Sequence, residues 1–315
     1  MRALIVGAGA VGQVFGYHLA RGGADVTFLV KPKYVDECRR GFTLFPLDES
    51  GHPAHRFEGA DVVTEPDGAW DQIYLTVSST ALRAGTWLAE LARATGDATI
   101  VKLQPGLADR EHVVACGVAP ARIVDGTINF LSYHAPLPGE TRFAEPGMAY
   151  WLFPGKAPFS GEDARVRAVV DALVAGELPA RVVPDVARTS AFPSAILGMF
   201  VAALEAAGWS FAAMRARGLT TLGAHAARDA IAVVGRELGV RPPLAMRLAA
   251  HPLMFRALLR VAPRVTPVDL ETYLRVHFTK VGDQMHEGMA LYLDRARRDG
   301  LAVPALEQLA RQLPS

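Results

Sequence analysis

The first twelve residues constrain the fold more than any other stretch of this chain. Ala3-Leu4-Ile5-Val6 is a continuous apolar run of strand type, and it feeds directly into Gly7-Ala8-Gly9-Ala10-Val11-Gly12. In a G-x-G-x-x-G set between a buried strand and a helix, the three glycines have separate tasks. Gly7 permits the tight turn and Gly9 lets the main chain approach a ligand. Gly12 lets the following helix pack close to the strand. Val14, Phe15, His18 and Leu19 continue at helical spacing. The helix start then aims its free N–H groups and positive dipole at an anion. Gly7, Gly9, Ala10, Val11 and Gly12 are therefore the candidate residues of a pyrophosphate site built from backbone.

A second strand, Asp25–Val30, exits into Lys31-Pro32-Lys33. A dinucleotide domain that takes NAD places an acid here, where it accepts hydrogen bonds from the ribose 2′-hydroxyl. A lysine pairs instead with a 2′-phosphate, so Lys31 points to NADPH. Further strands are expected at 42–45 and 56–57 (a small hairpin), 60–63, 72–77, 98–103, 122–130 and 149–153. Ligands of open α/β sheets bind beyond the carboxyl ends of the strands. Ser78 and Ser79, after the strand at 72–77, and Gln104 and Gly106, after that at 98–103, are accordingly expected to line the cofactor cleft.

From Pro184-Asp185 onward the pattern is helical and alanine-rich. The expected architecture is an α/β Rossmann-type NADP-binding domain over 1–185 and an all-α substrate and dimerisation domain over 186–315. Thr266-Pro267-Val268-Asp269 reads as a helix start, and that helix runs toward Gly300 with a bend or break near Gly282. A net charge of +1 gives no reason to expect nucleic acid or an anionic membrane as partner. Two distant cysteines and nine histidines without metal-ligand spacing leave no metal site to propose. A strand beginning at residue two leaves no room for a signal peptide, and no uncharged apolar run of about 18 residues is visible. A soluble, cytoplasmic protein is expected.

The opening GAGAVG, the strand and helix order, the Gln104-x-Gly106 turn and the closing Ala296–Pro304 segment resemble the ketopantoate reductase (2-dehydropantoate 2-reductase) family. The resemblance extends over essentially the whole chain. It implies NADPH in the cleft of a Rossmann domain, a helical second domain, and reduction of a small-molecule 2-keto acid. By the same resemblance, Ser78 stands where the family has a lysine and Pro105 where it has an asparagine. The stretch Arg188–Phe200 contains no Lys-x-x-x-Asn, the family's proton donor and substrate grip, and Phe192 and Ile196 offer an apolar wall instead. Lys280, Asp283 and Glu287 share one face of the last long helix by spacing. Against the plain reading of a solvated ion-pair face, Lys280 is the candidate proton donor or carboxylate anchor. The expectation is an NADPH-dependent reductase of a keto acid or related carbonyl compound other than ketopantoate, assembled as a homodimer through its C-terminal helices. Two alternatives stand beside it: a non-catalytic NADP(H)-binding sensor or regulatory protein, and ketopantoate reduction through a rearranged site.

Overall fold

The computed structural model of the protein describes residues 1–106, 108–280 and 282–314, with the backbone alone at 280 and 282–284. The chain divides into two units, Met1–Ala187 and Arg188–Ser315. The fold is an N-terminal parallel-sheet α/β domain followed by a helical region.

In the first unit the strands are β1 (Arg2–Val6), β2 (Asp25–Leu29), β3 (Phe42–Pro46), β4 (His55–Phe57), β5 (Asp61–Val63) and β6 (Gln72–Leu75). They continue as β7 (Thr99–Lys102), β8 (Ile123–Gly126), β9 (Phe130–Ala135), β10 (Gly147–Leu152), β11 (Ala157–Ser160) and β12 (Ala180–Val182). The large sheet has the order β12-β11-β8-β7-β6-β1-β2-β5. From β8 to β5 every pairing is parallel. The chain moves outward from β1 through β2 to β5 and then returns to the other side of β1 with β6. That reversal puts the topological switch point between β1 and β6.

Both faces of this sheet are covered, which is why its strands read as unbroken apolar runs. On one face Ala3, Ile5, Val101 and Val124 pack with Val14 and Phe15 of the helix Ala10–Arg21 and with Val166 and Val169 of the helix Asp163–Ala175. On the other, Leu4, Val6, Ile73, Leu75 and Ile100 pack with Leu82, Leu88, Leu91 and Val113. The single strand expected over 122–130 is two strands in different sheets. β8 joins the large sheet, whereas β9 begins at Phe130 in a second sheet of order β4-β3-β10-β9. Asn129 makes the change of sheet: its carbonyl accepts the Phe153 N–H at 3.0 Å and its Nδ2 donates to the Phe153 carbonyl at 3.2 Å.

The second unit is built on the helix Leu219–Glu237, whose Ala224, Ala227, Ala230, Ile231 and Val234 are buried. The helix Val186–Ala206 is long and apolar enough to cross a membrane by length and composition, and 56% of its 18-residue window is buried inside the protein. Its run Val201–Leu204 is fully covered, as in a core helix. The expected helix start at Thr266 is displaced. Thr266 Oγ1 donates to the Ala262 carbonyl at 2.9 Å and so ends the helix Pro252–Val265. Asp269 caps the next helix, accepting the Thr272 N–H at 3.3 Å. That helix closes at Lys280, and a further one spans Gly282–Arg298.

Candidate functional site

The glycine turn lies at the switch point and is held by bonds that leave its outer side free. Gly7 has φ +97°, a conformation suited to glycine, and its N–H donates to the Leu29 carbonyl at 3.0 Å. Thr76, just after β6, donates its N–H to the Val6 carbonyl at 3.2 Å. Its hydroxyl lies 2.8 Å from the same oxygen and 3.0 Å from the Gly7 carbonyl. A Cβ on Gly12 would stand 2.0 Å from the Gly7 carbonyl oxygen and 2.8 Å from Thr76 Oγ1, so the helix can approach this turn only as glycine. A Cβ on Gly9 would meet nothing within 4 Å among the described residues.

Gly9 caps the helix Ala10–Arg21 with no side-chain hydrogen bond, and the first turn contains no acid. The first intrahelical bond runs from the Gln13 N–H to the Gly9 carbonyl at 3.0 Å. The N–H groups of Ala10, Val11 and Gly12 therefore have no acceptor within the helix. Gln13 is turned back, its Nε2 donating to the Ala8 carbonyl at 2.9 Å. An uncapped, acid-free helix start beside open space fits the pyrophosphate of a dinucleotide.

Lys31 follows buried Val30 at the end of β2, is exposed, and forms no salt bridge among the described residues. Lys33, by contrast, sits over its neighbour, with Nζ 4.8 Å from the Tyr34 ring centroid. The register Val6↔Leu29 places the ends of β1 and β2 side by side, so Lys31 and the glycine turn share one edge of the sheet.

The four residues expected after the next two strands have more varied fates. Ser78 is half-buried at the carboxyl end of β6 and caps the helix Ser79–Arg83 by accepting the Ala81 N–H at 3.2 Å. Ser79 and Gln104 are both buried. Ser79 Oγ donates to Asp109 Oδ2 at 2.7 Å. Gln104 Nε2 donates to the Leu75 and Val77 carbonyls at 2.8 and 2.7 Å, and its Oε1 accepts the Leu103 N–H. These two side chains shape the loops and face inward. The Gly106 N–H donates to Asp109 Oδ2 at 2.8 Å, and a Cβ there would fall 2.3 Å from that oxygen.

Asp109 is the organising group of this region and was not legible in the sequence. Its fully buried carboxylate collects Ser79, the Gly106 N–H and Arg83 Nη2, the last at 2.5 Å, and so joins the loops after β6 and β7. Its partner Ser79 lies 30 residues upstream, beyond any local pattern. Lys102 is likewise structural: its Nζ donates to the Gln104 carbonyl at 2.7 Å and lies 3.3 Å from Asp125 on the neighbouring strand.

In the helical unit the side chains of Lys280 and Asp283 lie outside the described residues, and Glu287 is exposed. Phe192 is buried. His286 Nε2 lies 3.2 Å from Oε1 of largely buried Glu205. No cluster of three or more metal-ligating side chains occurs among the described residues.

Residues 3–152 match the family model described as Ketopantoate reductase PanE/ApbA. No curated protein matches the chain. Among solved structures, the chain resembles a PanE/ApbA family ketopantoate reductase from Ralstonia eutropha JMP134 at 19% identity and a TM-score of 0.73, with 99% of this chain and 96% of that one covered. It resembles D-mandelate dehydrogenase, solved with NADH and anilino(oxo)acetate, at 16% identity and a TM-score of 0.69 over 99% and 96% of the two chains. A dimeric ketopantoate reductase from Staphylococcus aureus matches at 15% identity and a TM-score of 0.67, again over 99% and 96%. At these identities the likeness shows the fold.

Proposed function

We propose that the chain is a divergent member of the ketopantoate reductase family: a cytoplasmic, NADPH-dependent reductase of a keto acid or related carbonyl compound other than ketopantoate. The observation that carries this reading is the open glycine turn at the β1/β6 switch point, an uncapped helix start suited to an anion, with exposed Lys31, which forms no salt bridge among the described residues, at the same edge of the sheet. The match of residues 3–152 to the family model supports it. So does a fold shared with reductases and with a dehydrogenase solved with NADH.

In this reading the N–H groups of Ala10, Val11 and Gly12 hold the pyrophosphate, and Gly7 and Gly9 let it approach. Lys31 pairs with the 2′-phosphate and sets the preference for the phosphorylated cofactor. Ser78, at the carboxyl end of β6, borders the cofactor, while Gly106 and the buried Ser79, Gln104 and Asp109 fix the loops around it. Bound there, a reduced nicotinamide supplies a hydride to a carbonyl carbon. The carbonyl oxygen then needs a proton, and Lys280 donates it or anchors the substrate carboxylate.

A second reading, a dinucleotide-binding sensor without turnover, draws on the lack of any lysine or asparagine in 188–200. Titration of reduced-nicotinamide fluorescence, together with a screen of 2-keto acids, 3-keto acids, imines and bulky ketones, separates the readings. NADPH is expected to bind at least about tenfold tighter than NADH, and Lys31→Glu to abolish or invert that preference. Equal affinities in the wild type would remove Lys31 from cofactor choice. Tight NADPH binding with no turnover across the screen would favour the sensor.

A further inference from the structure

The net charge of +1 conceals one strongly asymmetric stretch. Residues 238–268 contain five arginines and not one aspartate or glutamate. All five (Arg241, Arg247, Arg256, Arg260 and Arg264) are exposed, and none pairs with a carboxylate among the described residues. The same stretch is unusually greasy on its outside. Seven of the fifteen exposed large hydrophobic side chains among the described residues fall between Leu244 and Val265. A concentration of that kind marks an interaction surface.

Helical spacing largely separates the two properties, with exposed Leu253 alone lying among the arginines of its helix. In the helix Pro252–Val265, Phe255 and Leu259 are buried and anchor it to the unit. Met254, Leu258, Val261 and Val265, 42–61% exposed, recur at i, i+4, i+7 and i+11 and form one stripe. Arg256, Arg260 and Arg264 recur at i, i+4 and i+8 and form a second stripe beside it. The short helix Leu244–Ala249 adds exposed Leu244 and Leu248 with Arg247.

We propose that this face binds reversibly to an anionic lipid surface. The aliphatic stripe enters the acyl boundary, and the guanidinium groups lie at the headgroup phosphates. The charge pattern selects this occupant over a second copy of the chain. A two-fold interface sets a patch against itself. Here it would bring arginines against arginines, with no acid in the whole stretch to neutralise them. An anionic bilayer supplies a dense field of phosphates and an apolar phase that needs no shape match.

The test mixes the full-length protein with vesicles of phosphatidylcholine alone, or of equal parts phosphatidylcholine and phosphatidylglycerol, and reads the bound fraction by sedimentation. Binding is expected on the anionic vesicles, to fall with salt, and to be small on the neutral ones. Arg256→Glu/Arg260→Glu/Arg264→Glu should weaken it by on the order of a hundredfold. Leu258→Ser/Val261→Ser, which keeps every charge, should weaken it by about tenfold. Both variants alter exposed positions, and circular dichroism checks that each is folded. Equal binding to the two vesicle types, or undiminished binding by the arginine variant, overturns the proposal. Undiminished binding by Leu258→Ser/Val261→Ser reduces it to simple charge attraction and overturns insertion. A halved particle mass for that variant in lipid-free solution would assign the face to a second copy instead.

Discussion

At the scale of single residues, Gly9 and Gly12 separate ligand binding from folding. A Cβ on Gly12 would collide with a backbone oxygen at 2.0 Å, which no side-chain rotation relieves. Gly12→Ala should therefore destabilise the protein by about 1–3 kcal/mol and weaken NADPH binding with it. At Gly9 the added methyl meets no protein atom within 4 Å, so Gly9→Ala should melt within about a degree of wild type. It should nevertheless lose NADPH affinity by about tenfold or more, since the methyl occupies the approach to the helix start. Melting curves and fluorescence titration on the two variants check the contrast. Loss of stability at Gly9, or undisturbed binding at Gly12, would contradict it. The turn was readable because its chemistry is backbone chemistry and glycine spacing encodes it. The side-chain partners of Ser79 and Gln104 were not readable, because a strand end predicts where a residue sits and not which way its side chain turns. Thr76 and Asp109 were missed altogether, since their partners are supplied by distant segments.

At the scale of elements, the helix Ala10–Arg21 ends against the helix Asp163–Ala175, and the contact carries a pH dependence. His18 is buried, with Nδ1 2.7 Å from the Gly176 carbonyl, so Nδ1 carries the proton and donates it. Its Nε2 is buried with no hydrogen-bond partner among the described residues. Burial holds the His18 pKa below its ordinary value, outweighing the Gly176 hydrogen bond that pulls the other way. The unfolded chain thus takes up a proton near pH 6.5 that the folded chain resists. This contribution to stability is complete above about pH 6.5 and declines as the pH falls toward the folded-state pKa, by at most about 1.4 kcal/mol per pH unit. Urea melts at pH 8 and pH 5 should show this loss in wild type and a smaller one in His18→Asn, which keeps a donor near Nδ1 without a titrating ring. An unchanged acid sensitivity would exclude His18 as its source. His18 read from the sequence as one more residue on the inner face of a helix, and the pairing that gives it a protonation preference is made 158 residues away. The boundary errors share that origin. The break between β8 and β9 and the helix start at Asp269 depend on which sheet or helix end claims the intervening polar groups.

At the scale of the whole molecule, the two units were legible to different depths. Residues 3–152 match the family model within the first unit, where glycine spacing and buried strands carry specific information. The helical unit shares the family architecture, but the resemblance supplies no matching chemistry at 188–200. Assembly belongs to this scale. Light scattering is expected to give about twice the 33.7 kDa chain mass if the chain assembles as the homodimer expected from its sequence. The triple arginine variant should leave that mass unchanged, because the basic face is assigned to lipid. A 33.7 kDa particle at micromolar concentration would reject the dimer. Substrate choice belongs here too, under the proposal that the helical unit contributes the groups that contact the substrate. Arg188–Phe200 provides no lysine to protonate a nascent alkoxide and no asparagine to grip a hydroxy acid, and it carries buried Phe192. A positioned acid contributes roughly 10²- to 10⁴-fold, so ketopantoate should be reduced slowly and a more apolar keto acid faster. If Lys280 supplies that proton or anchors the carboxylate, Lys280→Met should lower kcat/KM on the preferred substrate by about a hundredfold or more while NADPH affinity holds. Brisk turnover of ketopantoate would refute the altered substrate, and an undiminished Lys280→Met rate would move the proton to another residue.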